Sequence, residues 1–301
     1  MKLKNVPTFR RFRRKSGSRP RNEVRASGRN LKLEIEYDGT NYCGWQIQNR
    51  HQVTRSPSHQ RKSIQETIEK ALHRILQEKI RLIASGRTDA GVHAQAQVAN
   101  FKTKSNISSE KLQKALNGLL PSDISISKIE EAAVDFHSRF AARAKAYRYA
   151  ILNRSYPSAL LRNRVYFYPY PLALKLMHQE ARCLLGRHDF KAFCASGGSS
   201  KDTIRTIKKI TIRKTNYGLW AMPACRQGRD YGLNNGPLIV IDIEADGFLY
   251  NMARNIVGTL MEIGRGRFSK GSLKKILNSK DRKLAGPTVP ACGLCLLKVN
   301  Y

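Results

Sequence analysis

Hydrophobic positions recur along the chain with two periods, and together they predict a mixed α+β protein. Residues Leu31 to Tyr37 alternate apolar and charged side chains, which is typical of a strand with one buried face. Ser63 and Glu66 form a capping box that opens a helix. The apolar residues of this helix fall on one stripe: Ile64, Ile68, Ala71, Leu72, Ile75 and Leu76.

The remaining elements of the first half follow from the same patterns. Strands are expected at 80–84 and from Ser125 to Ile129, and a separate strand between them runs through Phe101. Ser108 or Ser109 caps a second helix that stops before Pro121. The order is therefore strand, helix, strand, strand, helix, strand, which is the split β-α-β arrangement of ferredoxin-like domains.

The second half shows the same plan without any repeat of the letters. Strands are predicted at 144–152, 204–213, 238–244 and 293–299, and helices at 248–263 and 272–278. A further helix is predicted from Pro171 to Leu185, with proline in its first turn and Gly186 after its end. The expected fold is thus two ferredoxin-like subdomains, 30–135 and 136–301, which share a mainly antiparallel sheet.

The first 29 residues have no apolar periodicity. They hold eleven Lys or Arg and one acid, Glu23. Such a composition predicts a disordered basic arm that contacts phosphates. An Arg-rich, acid-poor N-terminus is also typical of an organelle transit peptide, so import into an organelle stays open as an alternative.

The net charge changes the picture most. The chain has 55 Lys and Arg against 22 Asp and Glu, a net charge of +33. A surplus of this size indicates a polyanionic partner, and nucleic acid fits better than a membrane, because no basic amphipathic helix and no long apolar run is found. Six scattered cysteines without a secretory signal indicate reduced thiols in the cytoplasm. Cys292 and Cys295 lack a second pair, so no metal site is predicted.

Candidate chemistry is concentrated in the stretch ASGRTDAGVHA, residues 84–94. Gly86 and Gly91 allow a sharp turn that presents one carboxylate, Asp89, at the end of a strand. Arg87 and His93 lie beside it in sequence. The plainer interpretation is a tight turn closed by an Asx hydrogen bond. A single aspartate without a partner acid or a metal cluster fits a nucleophile or a proton acceptor.

Two further positions need an explanation. Tyr147 lies in a basic strand that also contains Arg143 and Arg148, and an aromatic ring beside cations suits a splayed-out base and its phosphates. A half-buried strand tyrosine is the alternative. Arg254 lies on an otherwise apolar helix and requires an anionic partner, since burying it alone would be costly.

Six blocks of the sequence resemble, in order, the TruA family of tRNA pseudouridine synthases. They are YDGTNYCGWQ (37–46), ASGRTDAGVHA (84–94), FHSRFAARAKAYRYAI (136–151), GRHDFKAF (186–193), DGFLYNMARNIVGTLMEIGRG (246–266) and AGPTVPACGL (285–294). The resemblance implies a duplicated α/β fold, a homodimer, and conversion of uridine to pseudouridine at positions 38 to 40 of the tRNA anticodon arm. It implies no cofactor.

The resemblance also implies roles for individual residues. Asp89 matches the catalytic aspartate, and Arg254 the arginine that pairs with it, which we expect to lower its pKa. Arg87 matches the arginine that helps to flip the target base, and Tyr147 the tyrosine that stacks on it. Attack at C6 of the uracil and attack at C1′ of the ribose both remain open.

Three segments depart from the usual pattern of this family: the basic arm, the loop at 49–62, and residues 222–237. We expect them to modulate RNA contact or to be neutral. The alternatives to an enzyme of this class are a catalytically inactive RNA-binding protein and a phosphate-handling enzyme that uses residues 197–201 as an anion loop. The same chemistry at another uridine is a third alternative.

Overall fold

A computed structural model describes residues 28–47, 62–198, 200, 202–215 and 238–301. Most of the predicted basic arm, almost all of the 49–62 loop, residues 222–237 and part of the proposed anion loop therefore lie outside the described residues. Arg29, which was assigned to the arm, is the first residue of a strand. Its guanidinium donates to the carbonyls of Ser105 and Ile107 and pairs with Glu131.

Ten strands and five α-helices build the described chain. The strands are β1 (Arg29–Tyr37), β2 (Ile83–Ala84), β3 (His93–Thr103), β4 (Ile124–Ala132), β5 (Ala144–Leu152), β6 (Tyr166–Phe167), β7 (Gly186–Asp189), β8 (Ile204–Thr215), β9 (Leu238–Ala245) and β10 (Leu294–Asn300). The helices are α1 (Ile64–Leu76), α2 (Ser109–Leu119), α3 (Leu174–Ala181), α4 (Met252–Gly264) and α5 (Ser272–Ser279).

The local signals in the first half act as predicted. Leu31, Leu33 and Ile35 of β1 are fully buried. The hydroxyl of Ser63 accepts a hydrogen bond from the amide of Glu66, and Ser108 caps α2 in the same way through Lys111. Each cap satisfies a backbone donor that the helix itself leaves free.

All strands belong to one sheet, whose main path runs β4-β1-β3-β10-β5-β9-β8-β7. Within each half the pairs are antiparallel, apart from the short β5–β6 ladder, and the halves meet where β3 runs parallel to β10. At this seam Cys295 lies opposite His93 and Leu296 opposite Ala94. The start of β3 thereby joins the last strand of the chain, while its middle pairs with β2. The seam lies directly beside the 84–94 turn.

A single large core covers one face of the sheet. It contains buried residues from all five helices and from the inward face of β5, namely Tyr147, Tyr149 and Ile151. The opposite face of β5 carries a small second cluster, in which Ala150 and Leu152 pack against Leu161 and Val165. Residues that alternate along β5 therefore face two different environments.

Several predicted boundaries were wrong. The helix predicted from Pro171 begins at Leu174, and the chain then forms a 3₁₀ turn and the strand β7. Proline is not in its first turn. Gly186 does have a positive φ of 94°, but it begins β7. The helix predicted from Phe248 begins at Met252, because the segment before it forms a turn that ends at Asn251 in the left-handed region.

Strand β2 is shorter than the predicted 80–84, and β6 and β7 were not predicted. These short strands are fixed by pairing with β3, β5 and β8 and carry little periodicity of their own. In the part of the chain that the structure describes, no helix is long and apolar enough to cross a membrane.

Candidate active site

The 84–94 stretch forms a tight turn between β2 and β3. The amide of Ser85 donates to the carbonyl of Val98 at 2.8 Å, and the amide of Val92 donates to the carbonyl of Asp89 at 3.2 Å. Gly91 has a φ of 77°, a conformation that glycine adopts without strain. The turn leaves the side chain of Asp89 30% exposed, at the edge of the core.

The residue before Asp89 is held from both sides. The hydroxyls of Thr88 and Tyr37 lie 2.7 Å apart, and the amide of Trp45 donates to the carbonyl of Thr88 at 3.0 Å. Gly44 approaches so closely that a Cβ there would lie 2.6 Å from the same carbonyl oxygen. The 37–46 block thus forms the back of the turn and fixes where Asp89 points.

Arg254 reaches this carboxylate from the other half of the chain. Its Nη1 lies 3.8 Å from Oδ2 of Asp89, beyond hydrogen-bonding distance. The guanidinium is held by two other acceptors, since Nε donates to the carbonyl of Val289 at 2.7 Å and Nη1 donates to Oδ1 of Asn251 at 2.9 Å. The arginine is therefore positioned by its own half and stands beside the carboxylate without clamping it.

Burial dominates the electrostatics of Asp89. Desolvation raises the pKa of this carboxyl above its ordinary value, and the charge of Arg254 lowers it by less. The prediction that Arg254 lowers the pKa of Asp89 is confirmed for the contribution of this arginine, but desolvation outweighs it. A carboxylate that is partly desolvated and incompletely paired is a stronger base and nucleophile than a fully paired one.

Tyr147 lies on the core-facing side of β5. Its side chain is 9% exposed, and its ring packs edge-to-face on Phe248 with the centroids 4.9 Å apart. Burial raises the pKa of the Tyr147 hydroxyl, and the neighbouring Tyr37 and Asp89 add to the rise. Among the described residues the hydroxyl has no hydrogen-bond partner. Asp89, Arg254 and Tyr147 are thus brought together from three separate segments.

The other candidate residues occupy different surroundings. Arg87 and Arg143 are exposed, and their guanidinium groups have no partner in the described part of the chain. Arg148 follows Tyr147 along the strand and so lies on the opposite face of the sheet. There it forms a bidentate salt bridge with Asp242, at 2.7 and 3.0 Å. The structure does not bring Arg148 to Asp89.

His93 lies at the seam between the two halves. It is buried, its Nδ1 lies 3.2 Å from Oδ1 of Asp38, and its Nε2 lies 3.2 Å from the carbonyl oxygen of Cys292. These contacts tie the 84–94 turn to both neighbouring blocks. Within the described ranges, no three His, Cys, Asp or Glu side chains gather in a way that could hold a metal ion.

Four supporting contacts were not predicted from the sequence: Asn251 with Arg254, Phe248 with Tyr147, Lys145 with the carbonyl of Ser85, and the Val289 carbonyl with Arg254. All four residues lie inside the blocks that carry the family resemblance. Their contacts depend on a backbone carbonyl, a left-handed residue or the packing of segments that are distant in sequence. Hydrophobic periodicity does not predict any of these features.

This geometry can be compared with known proteins. A family model described as tRNA pseudouridine synthase matches residues 34–141 and 181–301. The tRNA pseudouridine synthase A of Acetivibrio thermocellus is 43% identical over 273 residues, which are 91% of this chain and the whole of that protein. The tRNA pseudouridine synthase A 2 of Clostridium perfringens is 44% identical, and the enzyme of Thermoanaerobacter sp. (strain X514) 43% identical, with the same coverage.

An aspartate, an arginine and a buried tyrosine thus lie together at the seam of a mainly antiparallel sheet, in a chain whose relatives are tRNA pseudouridine synthases. The chain belongs to the tRNA pseudouridine synthase family.

Proposed function

We propose that this protein isomerises uridine to pseudouridine in tRNA, at positions 38 to 40 of the anticodon arm, with Asp89 as the nucleophile. The observation that carries the proposal is the convergence of Asp89, Arg254 and Tyr147 in a chain whose relatives are tRNA pseudouridine synthases. The net charge of +33 supports a polyanionic substrate.

The target base has to leave its stack before it can reach a carboxylate at the edge of the core. Tyr147 offers the base a stacking face that Phe248 holds in place. Arg87, exposed and two residues before Asp89, is free to occupy the space that the base vacates. Arg143, also exposed, is free to contact phosphate. Arg148 is committed to Asp242, so we no longer assign it to the substrate.

The reaction needs no external reactant. The carboxylate of Asp89 attacks either C6 of the uracil or C1′ of the ribose, and the bond between C1′ and N1 breaks. The base turns while it is held, C1′ then bonds to C5, and Asp89 is released. The proton lost from C5 is balanced by the one gained at N1. Arg254 stabilises the ionised carboxylate before attack and whenever it is set free.

The direct test is to map pseudouridine in tRNA from cells with and without this protein, and in unmodified tRNA incubated with the purified chain. We expect new pseudouridine at positions 38 to 40 with wild-type protein, and none with the D89N variant. Tight tRNA binding without any pseudouridine would indicate the RNA-binding alternative. Pseudouridine at another position would keep the chemistry and overturn the target.

Two further features belong to the same proposal. We expect, from the family, that the protein is a homodimer and that it is cytoplasmic. Size-exclusion chromatography with light scattering tests the oligomeric state. The basic arm, outside the described residues, is expected to add phosphate contacts without changing the rate at saturating enzyme.

A further inference from the structure

Lys145 lies on the same face of β5 as Tyr147, two residues before it. Its ammonium donates to the carbonyl of Ser85 at 2.5 Å, and that residue lies in the 84–94 turn that carries Asp89. An ammonium has three donors, and this bond uses one of them. Within the described part of the chain, no carboxylate lies within ion-pair distance of Lys145.

Arg205 approaches the same place from β8. Ile207 pairs with Ala245, and Ala245 pairs with Lys145, so these three residues and Arg205 share one face of the sheet. The Nε of Arg205 lies 3.2 Å from where a Cβ of Gly247 would stand, next to the Phe248 that supports Tyr147. Its guanidinium donates to Ser200, and its nearest acid, Asp202, is 3.9 Å away and exposed.

The electrostatics of Lys145 agree with this crowding of cations. Burial lowers the pKa of its ammonium to about 8, and repulsion by Arg139 and Arg205 adds to the fall. A half-buried cation among like charges is unfavourable unless an anion arrives from outside the chain. The two unused donors of Lys145 and the forked donors of the arginines suit the oxygens of a phosphate.

We propose that Lys145, together with Arg205, binds a phosphate of the RNA chain that flanks the target nucleotide. This site rests on the proposed function. Because Lys145 and Tyr147 are two residues apart on one strand, the phosphate would be held about 6.6 Å along the strand from the stacking ring. The backbone of the flipped nucleotide is thereby fixed on one side while its base rests on Tyr147. Lys145 also touches the Asp89 turn, so the same phosphate is placed relative to the carboxylate.

The test is a double-mutant cycle that combines protein variants with RNAs in which one phosphate is neutralised. The proteins are wild type, K145M, K145R and K298M. Methionine keeps the apolar stem and removes the charge. Lys298 is exposed and pairs with Ala146 across the ladder, so K298M removes a charge from the neighbouring strand outside the cluster. The RNA arms are an anticodon stem-loop with natural phosphates, and the same RNA with a neutral methylphosphonate at each position flanking the target uridine in turn.

Equilibrium binding is measured across a range of salt, which does not depend on turnover. K145M is expected to weaken binding of the natural RNA by about tenfold to a hundredfold, as for the loss of a charge-assisted contact. The salt slope should fall by about 0.7 to 0.9. At one methylphosphonate position the K145M penalty should vanish, since neither variant then has a phosphate charge to lose. K145R should retain most of the affinity, and K298M should bind within about twofold of wild type.

An equal K145M penalty on every RNA would show a structural role and overturn the phosphate site, as would an unchanged affinity. If K145M does not fold, R205M is tested in the same cycle and must couple to the same phosphate. Absence of pseudouridine from all reactions would count against the proposed function, whereas the binding cycle would still decide this site.

Discussion

Two aspartate–arginine pairs flank strand β5, one on each face of the sheet, and they differ in almost every property. On the outer face, Asp242 accepts two hydrogen bonds from Arg148, at 2.7 and 3.0 Å, and another from Arg213 at 2.9 Å. On the core face, Arg254 at 3.8 Å is the only partner of the Asp89 carboxylate among the described residues. The carboxylates are similarly exposed, at 22% and 30% of the side chain.

The pKa values of the two carboxyls move in opposite directions. Burial would raise both, but the hydrogen bonds and charges of Arg148 and Arg213 lower the pKa of Asp242 below its ordinary value. For Asp89 desolvation prevails, and the pKa is raised. With similar burial, the pKa is therefore lowered where arginines bond to the acid and raised where other acceptors hold the arginine away from it.

The strongest test of this difference removes each carboxylate charge in turn. D89N should lower the rate of pseudouridine formation by at least about a thousandfold, because the proposed nucleophile is lost while the shape is kept. D242N should keep the single-turnover rate at saturating enzyme within about tenfold of wild type. Quench-flow measurement on unmodified tRNA checks both. Substantial turnover by D89N would remove Asp89 from the mechanism.

The two arginines can be compared through the pH dependence of the rate. The proposed nucleophile Asp89 would react as the carboxylate, so we expect the rate to rise as the pH passes upward through its pKa. Arg254 lowers that pKa, so R254M should move the acid limb of the profile to higher pH and slow the reaction by about tenfold to a hundredfold. R148M should leave the acid limb in place, since Arg148 lies on the other face. A profile for R254M that overlies that of wild type would show that the pair is not coupled.

The aromatic ring on the core face has a smaller expected effect. Y147A should weaken tRNA binding by roughly fivefold to a hundredfold, since stacking is worth about 1–3 kcal/mol per base. Y147F keeps the ring and should keep most of the affinity. Filter-binding titrations separate the two variants. Equal losses in both would mean that the hydroxyl, and not the ring, provides the contact.

The sequence predicted most of what depends on local patterns. The alternation in β1, the Ser63 and Ser108 caps and nearly all strand positions were confirmed, because period and capping chemistry are written in neighbouring residues. The start of α4 was missed, since the turn that precedes it ends at the left-handed Asn251, which hydrophobic periodicity does not mark.

For the candidate site, the meeting of Asp89 and Arg254 was predictable, and the pKa shift of Asp89 was not. Asp89 and Arg254 could be paired through the family resemblance, but the sign of the pKa shift depends on a 3.8 Å gap and on burial, which only the packed chain defines. The separation of Tyr147 and Arg148 followed from strand alternation and could have been read from the sequence. Asp242, the partner of Arg148, is 94 residues away along the chain, and this pairing could not be predicted from the sequence.

The smallest effect, and the last prediction, concerns stability, where the two aspartates should differ in sign. The pKa of Asp89 is raised on folding, so the folded state binds protons more tightly, and ionisation at neutral pH costs stability. The pKa of Asp242 is lowered, so its ionised form contributes stability above the ordinary pKa, and this contribution is lost as the pH falls through the pKa of the folded state.

At pH 7, D89N should raise the melting temperature by about 1–2 °C. D242N should lower it by about 2–6 °C, as for the loss of hydrogen bonds worth about 1–3 kcal/mol. Both differences should shrink toward pH 3, where the unfolded carboxyls are largely protonated. Calorimetry at the two pH values checks this. If D89N is destabilising at pH 7, the carboxylate of Asp89 is better paired than its 3.8 Å contact indicates, and the two pairs are more alike than we infer.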